Sequence, residues 1–185
     1  GLFDFLNQGQ SDSAPLPEAI EILATEPPQE GGTGELADFQ LREAVYDGEY
    51  AYLVVDDEVT LFDTVEEEFA EEMLERIRSV IGDRPVDNII VQHAEPDHSG
   101  GFLHVMRAYP QAKVYASNAG ANNMMKQYFK EVEYNRVKTK DTLSTGKHQF
   151  TFVEMPLIHW PDNMLTYDAE AKIVFSNDAF GQHIV

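Results

Sequence analysis

An α/β layered fold is what this sequence predicts, and three observations carry the prediction. Two β-rich runs, Tyr52-Leu53-Val54-Val55 and Val59-Thr60-Leu61-Phe62, flank the acidic turn Asp56-Asp57-Glu58 in a hairpin pattern. The hydrophobic period then changes to a helical one. Further on, the apolar run Asn88-Ile89-Ile90-Val91 is followed by a helical segment and a second apolar run, Val114-Tyr115-Ala116. Strand, helix, strand is the order expected where helices cover a buried sheet. The chain has 185 residues, 43% hydrophobic and 11% aromatic, enough for one domain with a sizeable core.

Taken in order, residues 1–40 differ from the rest. Pro15, Pro17, Pro27 and Pro28, then Gly31, Gly32 and Gly34, alternate with Ser, Gln and acids, the composition of a tail or linker. Within it Ile20, Ile22 and Leu23 suit one short helix over Pro17–Thr25, or else a solvated linker. The domain proper spans 41–185. After the hairpin, Thr64 and Glu67 read as a capping box, and Val65, Phe69, Met73 and Ile77 recur every four residues against Glu66, Glu67, Glu71 and Glu75. That acidic face is a solvated helix surface. Helices follow at Phe102–Tyr109 and Ala121–Lys130, and strands at Tyr134–Val137, Gln149–Glu154, Met164–Tyr167 and Lys172–Phe175.

Composition excludes several function classes. Thirteen Lys and Arg against 33 Asp and Glu give a formal net charge of −20, a potential that repels phosphate backbones, so no nucleic-acid partner is expected. No run of about 18 apolar residues exists, so no membrane span is expected either. Residues 1–13 lack the basic start and long apolar stretch of a secretory signal, and a cytoplasmic protein is expected. Without cysteine, disulfides, thiolate metal sites and a Cys nucleophile are excluded. Metal or acid–base chemistry falls to His, Asp and Glu.

Those residues cluster after the strand Ile89-Ile90-Val91, in Gln92-His93-Ala94-Glu95-Pro96-Asp97-His98-Ser99-Gly100-Gly101. In extended backbone, positions two apart point the same way, so His93 and Glu95 can converge on one ion while Asp97 and His98, past the turn at Pro96, serve a second. A charged loop produces two such residues by chance; four on the end of an apolar strand and before glycines favour metal. Two further candidates end apolar stretches: His159 after Phe152–Ile158, and Asp178 after Ile173–Asn177.

His93-x-Glu95-x-Asp97-His98, then His159-Trp160-Pro161-Asp162, then Ser176–His183 resemble the diiron domain of flavodiiron proteins, a branch of the metallo-β-lactamase fold. The resemblance runs from about Tyr50 onward. It implies a metallo-β-lactamase-like αβ/βα layered sandwich and two iron ions: His93, Glu95 and His159 on one, Asp97 and His98 on the other, and Asp178 bridging. It implies reduction of dioxygen to water, of nitric oxide to nitrous oxide, or both. Hydrolases of the fold usually carry His where Glu95 stands, and a harder, anionic oxygen donor suits iron cycling between ferrous and ferric.

The family's second iron takes one more His beyond the position of Asp178; here the seven residues after Asp178 hold only His183, so the fold reads as incomplete at its C-terminal side. His104 and His148 read as structural or exposed. No phosphate-cradling glycine loop is present, so the family's FMN is expected from a partner domain or subunit. The implied partners are a flavoprotein or rubredoxin-type electron donor and a homodimer mate or chain supplying the missing part. Asp63 either orients ligands or caps a turn, and Trp160 either lines the site or packs in the core. Two other functions stay open: a metal-dependent hydrolase of the same fold, and a non-catalytic module that binds a partner through a sheet edge.

Overall fold

The computed structural model describes residues 20–24, 50–128 and 132–179. The strand-and-turn signals of the N-terminal half build a six-stranded sheet. It contains β1 (Ile20–Ala24), β2 (Tyr50–Val55), β3 (Val59–Phe62), β4 (Asn88–Val91), β5 (Lys113–Ser117) and β6 (Tyr134–Val137), side by side in chain order. β1, β2 and β3 pair antiparallel, and β3 to β6 run parallel. The parallel steps need crossovers. α1 (Ala70–Ile81), entered through a 3₁₀ turn at Glu67–Phe69, joins β3 to β4. α2 (Pro96–Ser99) and α3 (Phe102–Ala108) join β4 to β5, and α4 (Asn118–Tyr128) follows β5. A second, antiparallel sheet orders β10 (Ile173–Phe175), β9 (Met164–Asp168), β8 (Gln149–Glu154) and β7 (Thr142–Ser144).

The unbroken apolar runs are explained by a sheet covered on both faces. Leu53, Leu61, Ile89 and Val114 turn to the helices, where they pack with Met73, Ile77, Phe102 and Met124. Their neighbours Val54, Phe62 and Ile90 turn the other way, onto Phe150, Phe152, Met164 and Phe175 of the second sheet. The side-chain period of two thus feeds two cores at once. Register holds Leu61 beside Ile89 and Phe62 beside Ile90, so β3 and β4 end together and the loops leaving them share one rim.

Three expectations need correction, and one strand, β7, is not among those expected. The short helix over Pro17–Thr25 is, at Ile20–Ala24, a strand paired with β2, Ile20 opposite Val54; its remaining residues lie outside the described ones. Isoleucine at 20 and 22 fits a period of two as well as a helix, and the hydrogen-bonding edge of β2 decides between them. Thr64 caps no helix. Its hydroxyl and its amide both donate to the carbonyl of His98, at 3.1 and 2.8 Å, because the chain turns through a left-handed Asp63 (φ +56°) and passes beneath the ligand loop. The exposed strand β7 carries too few apolar residues to announce itself, and Leu143 opposite Phe150 sets its register. α4 begins at Asn118, where the Ser117 hydroxyl accepts the amide of Gly120 (3.0 Å); Lys130 lies outside the described residues.

The sandwich interface rests on Phe62, whose ring stacks on Phe175 with centroids 4.0 Å apart and meets Phe150 edge-on at 5.0 Å. Phe62→Ala is expected to cost about 3–5 kcal/mol of unfolding free energy, read by urea titration. A loss near that of an exposed site would place the interface elsewhere.

Candidate metal centre

The rim where β3, β4 and β10 end gathers the candidate ligands. Beyond β4, Gln92 donates its amide to Asp63 Oδ1 at 2.7 Å, and the next residues are His93, Ala94 and Glu95 before Pro96 opens α2. Placing Asp97 and His98 in a helical turn swings them away from the extended His93-Ala94-Glu95 segment. The loop between β8 and β9 brings in His159, and the loop after β10 brings in Asp178. His93 is 1% exposed, whereas Glu95, His159 and Asp178 stay near 30%, so the cluster has a buried floor and an open mouth.

His93 Nε2 lies 2.9 Å from Glu95 Oε2, and His159 Nε2 lies 3.2 Å from that same oxygen. Asp178 faces both sides, Oδ2 at 3.3 Å from His159 Nε2 and Oδ1 at 2.9 Å from His98 Nε2. Asp97 Oδ2 stands 3.5 Å from His98 Nε2. Donor atoms of His93, Glu95, His159 and Asp178 all fall within 4.8 Å of one another, and so do those of Asp97, His98 and Asp178. All six candidate residues converge, in two groups that share Asp178.

Electrostatics follow from this crowding. Burial alone would lower the pKa of His98, but the hydrogen bond to Asp178 and the charges of Asp63, Asp178 and Asp97 outweigh it and hold the imidazole up to about 9. The bond from His98 in turn holds Asp178 below the usual carboxylate range, against its burial. Glu95 is likewise lowered, since the bonds from His93 and His159 outweigh its desolvation. His93 is raised: burial opposes its charging, but Asp162 and Glu95 prevail.

Residues missed at the sequence level support these. Asp162, 1% exposed, accepts from the Ala94 amide at 2.9 Å and faces His93 Nδ1 at 3.3 Å, which leaves His93 Nε2 for the cluster. A ligating histidine needs a partner on its other nitrogen, and that need was the available signal for an acid so near His159 in sequence. Asn177, left-handed at φ +54°, donates to Asp63 Oδ2 at 2.9 Å and accepts the amide of Asp178. Asp63, 2% exposed, accepts from both Gln92 and Asn177, the residues before the candidate ligands His93 and Asp178. Burial pushes its carboxyl up.

Trp160 is no core residue. It is 46% exposed with its ring 5.9 Å from that of His93, on a lip with Leu157 and Ile158. His104 pairs with Glu71 at 3.1 Å on the helical face, and His148 is buried against Asp168 at 2.6 Å; neither joins the cluster. His183 lies outside the described residues.

Helices outside a two-sheet sandwich, with imidazoles and carboxylates converging where the strands end, define the metallo-β-lactamase-like class of fold. The chain belongs to the family described as ODP family beta lactamase, which matches residues 49–184. It is 40% identical over 136 residues to the nitric oxide reductase of Moorella thermoacetica, an alignment covering 72% of this chain and 34% of that protein. Among solved structures it resembles rubredoxin oxygen:oxidoreductase from Desulfovibrio gigas (TM-score 0.70, 40% identity, 75% of this chain and 35% of that one). It also resembles the flavodiiron protein from Giardia intestinalis (TM-score 0.69, 32% identity, 75% and 34%). The resemblance to flavodiiron proteins seen in the motifs therefore holds, and the chain spans about a third of the length of these relatives.

The raised pKa of His98 has a consequence for chelator-treated protein. A group raised from 6.5 to about 9 on folding contributes stability that is complete below pH 6.5 and is lost as pH rises through about 9; the shift of His93 has the same sign. Tm is therefore expected to fall by several degrees between pH 6.5 and 9, and His98→Gln to flatten most of that fall in calorimetric scans.

Proposed function

We propose that this chain is the metal-binding part of a diiron oxidoreductase that reduces dioxygen to water, nitric oxide to nitrous oxide, or both. The observation that carries the reading is Asp178, whose two oxygens face two separate groups of donors, as a bridging carboxylate must. His93, Glu95 and His159 would hold one iron with Asp178, and Asp97 and His98 the other. The donor set fits: three imidazoles and three carboxylates crowd together, an arrangement favoured by cations, and the carboxylates offset much of the charge of two divalent ions. When bound, a pair of irons supplies electrons in pairs to a diatomic gas.

The protein's own contribution is to hold and discharge these donors. Asp162 keeps His93 Nε2 directed at the cluster. His98 Nε2 must release its proton before it ligates, so occupation of its group is favoured as pH rises. That group is also the poorer one. It has three donors against four, and His98 Nδ1 is buried without a hydrogen-bond partner among the described residues.

The relatives' names support the choice of substrates, being a nitric oxide reductase and a rubredoxin oxygen:oxidoreductase. By the same likeness the electron donor is a rubredoxin-type protein or flavoprotein, with FMN carried by another domain or subunit and a second copy completing a homodimer. The metal-binding domain spans 41–185, with β1 added from the preceding segment as its edge strand. The compartment proposed is the cytoplasm; no helix of the described residues is long and apolar enough to cross a membrane.

Anaerobic titration with ferrous iron is expected to fill two sites in sequence, the His93 group at least ~10-fold more tightly than the Asp97 group. Two zincs retained in preference to iron would favour the hydrolase, and no bound metal the non-catalytic module. Asp178→Ala is expected to abolish tight binding at both sites, whereas a coupled diferric signal surviving in that variant would remove Asp178 from the bridge. Glu95→His is expected to shift preference from iron toward zinc and to stop gas consumption driven by added reduced FMN. Undiminished turnover in an iron-replete variant would contradict it.

A further inference from the structure

We propose that Asn163 is a positioning residue, which keeps His159 in the metal centre by clamping the strained turn on which that histidine sits. The inference rests on the role given to His159 above.

The segment 155–163 carries the chain from β8 to β9. In it Leu157 has φ +69° and His159 φ +89°, a region in which a Cβ crowds the backbone and which non-glycine residues seldom occupy. Two such residues, two apart, persist only where the surroundings hold them. Packing does not hold these. Leu157 is 77% exposed and Ile158 and Trp160 46% each, and a cavity of about 300 Å³, lined in part by Pro156, Pro161 and Asn163, borders the segment.

Hydrogen bonds hold it instead, and three of them converge on Asn163, itself 1% exposed. Its carbonyl accepts the amide of Met155 at 2.8 Å, which closes the ends of the segment, and its own amide donates to Trp160 O at 3.3 Å. Its side-chain Nδ2 donates to Ile158 O at 2.9 Å. That carbonyl belongs to the peptide joining Ile158 to His159. Fixing its plane fixes the direction in which the imidazole leaves the backbone, and so brings His159 Nε2 to 3.2 Å from Glu95 and 3.3 Å from Asp178.

The side chain acts through its donor alone, for Oδ1 has no hydrogen-bond partner among the described residues. A carboxylate of the same shape would set two acceptors face to face and release the turn. Glycine at 157 would instead adopt the left-handed conformation without strain, and the need for the clamp would fall.

The test uses the 185-residue chain, metal-free, titrated with Co²⁺ by visible absorption, with amide hydrogen exchange read in parallel. Asn163→Asp is expected to weaken Co²⁺ at the tighter site about tenfold and to strip protection from the Leu157 amide, which donates to Trp160 O at 3.0 Å, the carbonyl that also accepts the Asn163 amide. Leu157→Gly in the Asn163→Asp background is expected to restore part of the affinity. Combined with His159→Ala, Asn163→Asp is expected to add nothing further, because it acts through that side chain. Unchanged affinity and exchange in Asn163→Asp, or additive losses in the double variant, would overturn the clamp. If His159→Ala alone leaves Co²⁺ binding intact, the metal role of His159 fails. The clamp is then judged by the exchange arm, where retained protection in Asn163→Asp refutes it.

Discussion

The arrangement of this site depends on one buried carboxylate. Asp63 closes β3 in a left-handed turn and receives the Gln92 amide, the Gln92 side chain and the Asn177 side chain. Those partners stand immediately before His93 and Asp178. One side chain therefore ties the end of the parallel sheet, the start of the ligand loop and the exit from the antiparallel sheet into one rim. Burial opposes ionisation of such a group, and the charge of His98 works the other way. The buried acid and the candidate ligand His98 are thus linked electrostatically, beside the hydrogen bonds that tie the rim together.

Backbone strain is part of the same rim. Three of the six non-glycine residues with positive φ among the described residues are here: His159 is a candidate ligand, Asn177 precedes one, and Asp63 accepts from Gln92 and Asn177, the residues before His93 and Asp178. Left-handed backbone at a non-glycine residue costs roughly 1–2 kcal/mol, which only a structure that over-determines the position sustains. The fold supplies that over-determination through side-chain amides and carboxylates: Asp63 with Asn177, Asp162 with His93 and Ala94, Asn163 with Ile158. Such bonds suit a cluster of candidate donors, which must keep their positions although the carboxylates among them repel one another.

The division of labour between the sheets explains why the centre lies at their edge. The strands β2 to β5 are buried on both faces, alternate residues of each serving different cores, and offer no room for a ligand within. Their ends are free of that demand. Loops leaving β3 and β4 in one register, and those of the second sheet packed beneath, meet where side chains need not fill a core. Ligands outside strand ends are common in layered α/β folds for this reason.

Much of this was legible in the sequence because the signals are local. The hairpin at Asp56–Glu58, the apolar run Ile89–Val91 and the amphipathic α1 follow from periods of two and four within a few residues. His93-x-Glu95-x-Asp97-His98 is a dense donor motif that needs no partner to be noticed. β1, where the sequence suits a short helix or a linker, shows the limit: Ile20, Ile22 and Leu23 satisfy either period, and the edge of β2, some thirty residues on, decides. Partnership across the chain left no local trace. Asp162 meets His93 over a separation of 69 residues, and Asn177 meets Asp63 over 114. The exposure of Trp160 is likewise set by which loops surround it. The sequence by itself determined which side chains are candidate metal donors and most of the strands, all but β1 and β7. The tertiary structure alone decided how those donors divide into two groups sharing Asp178 and what holds them there, because the distance between residues far apart in the chain is fixed only when the two sheets close on each other.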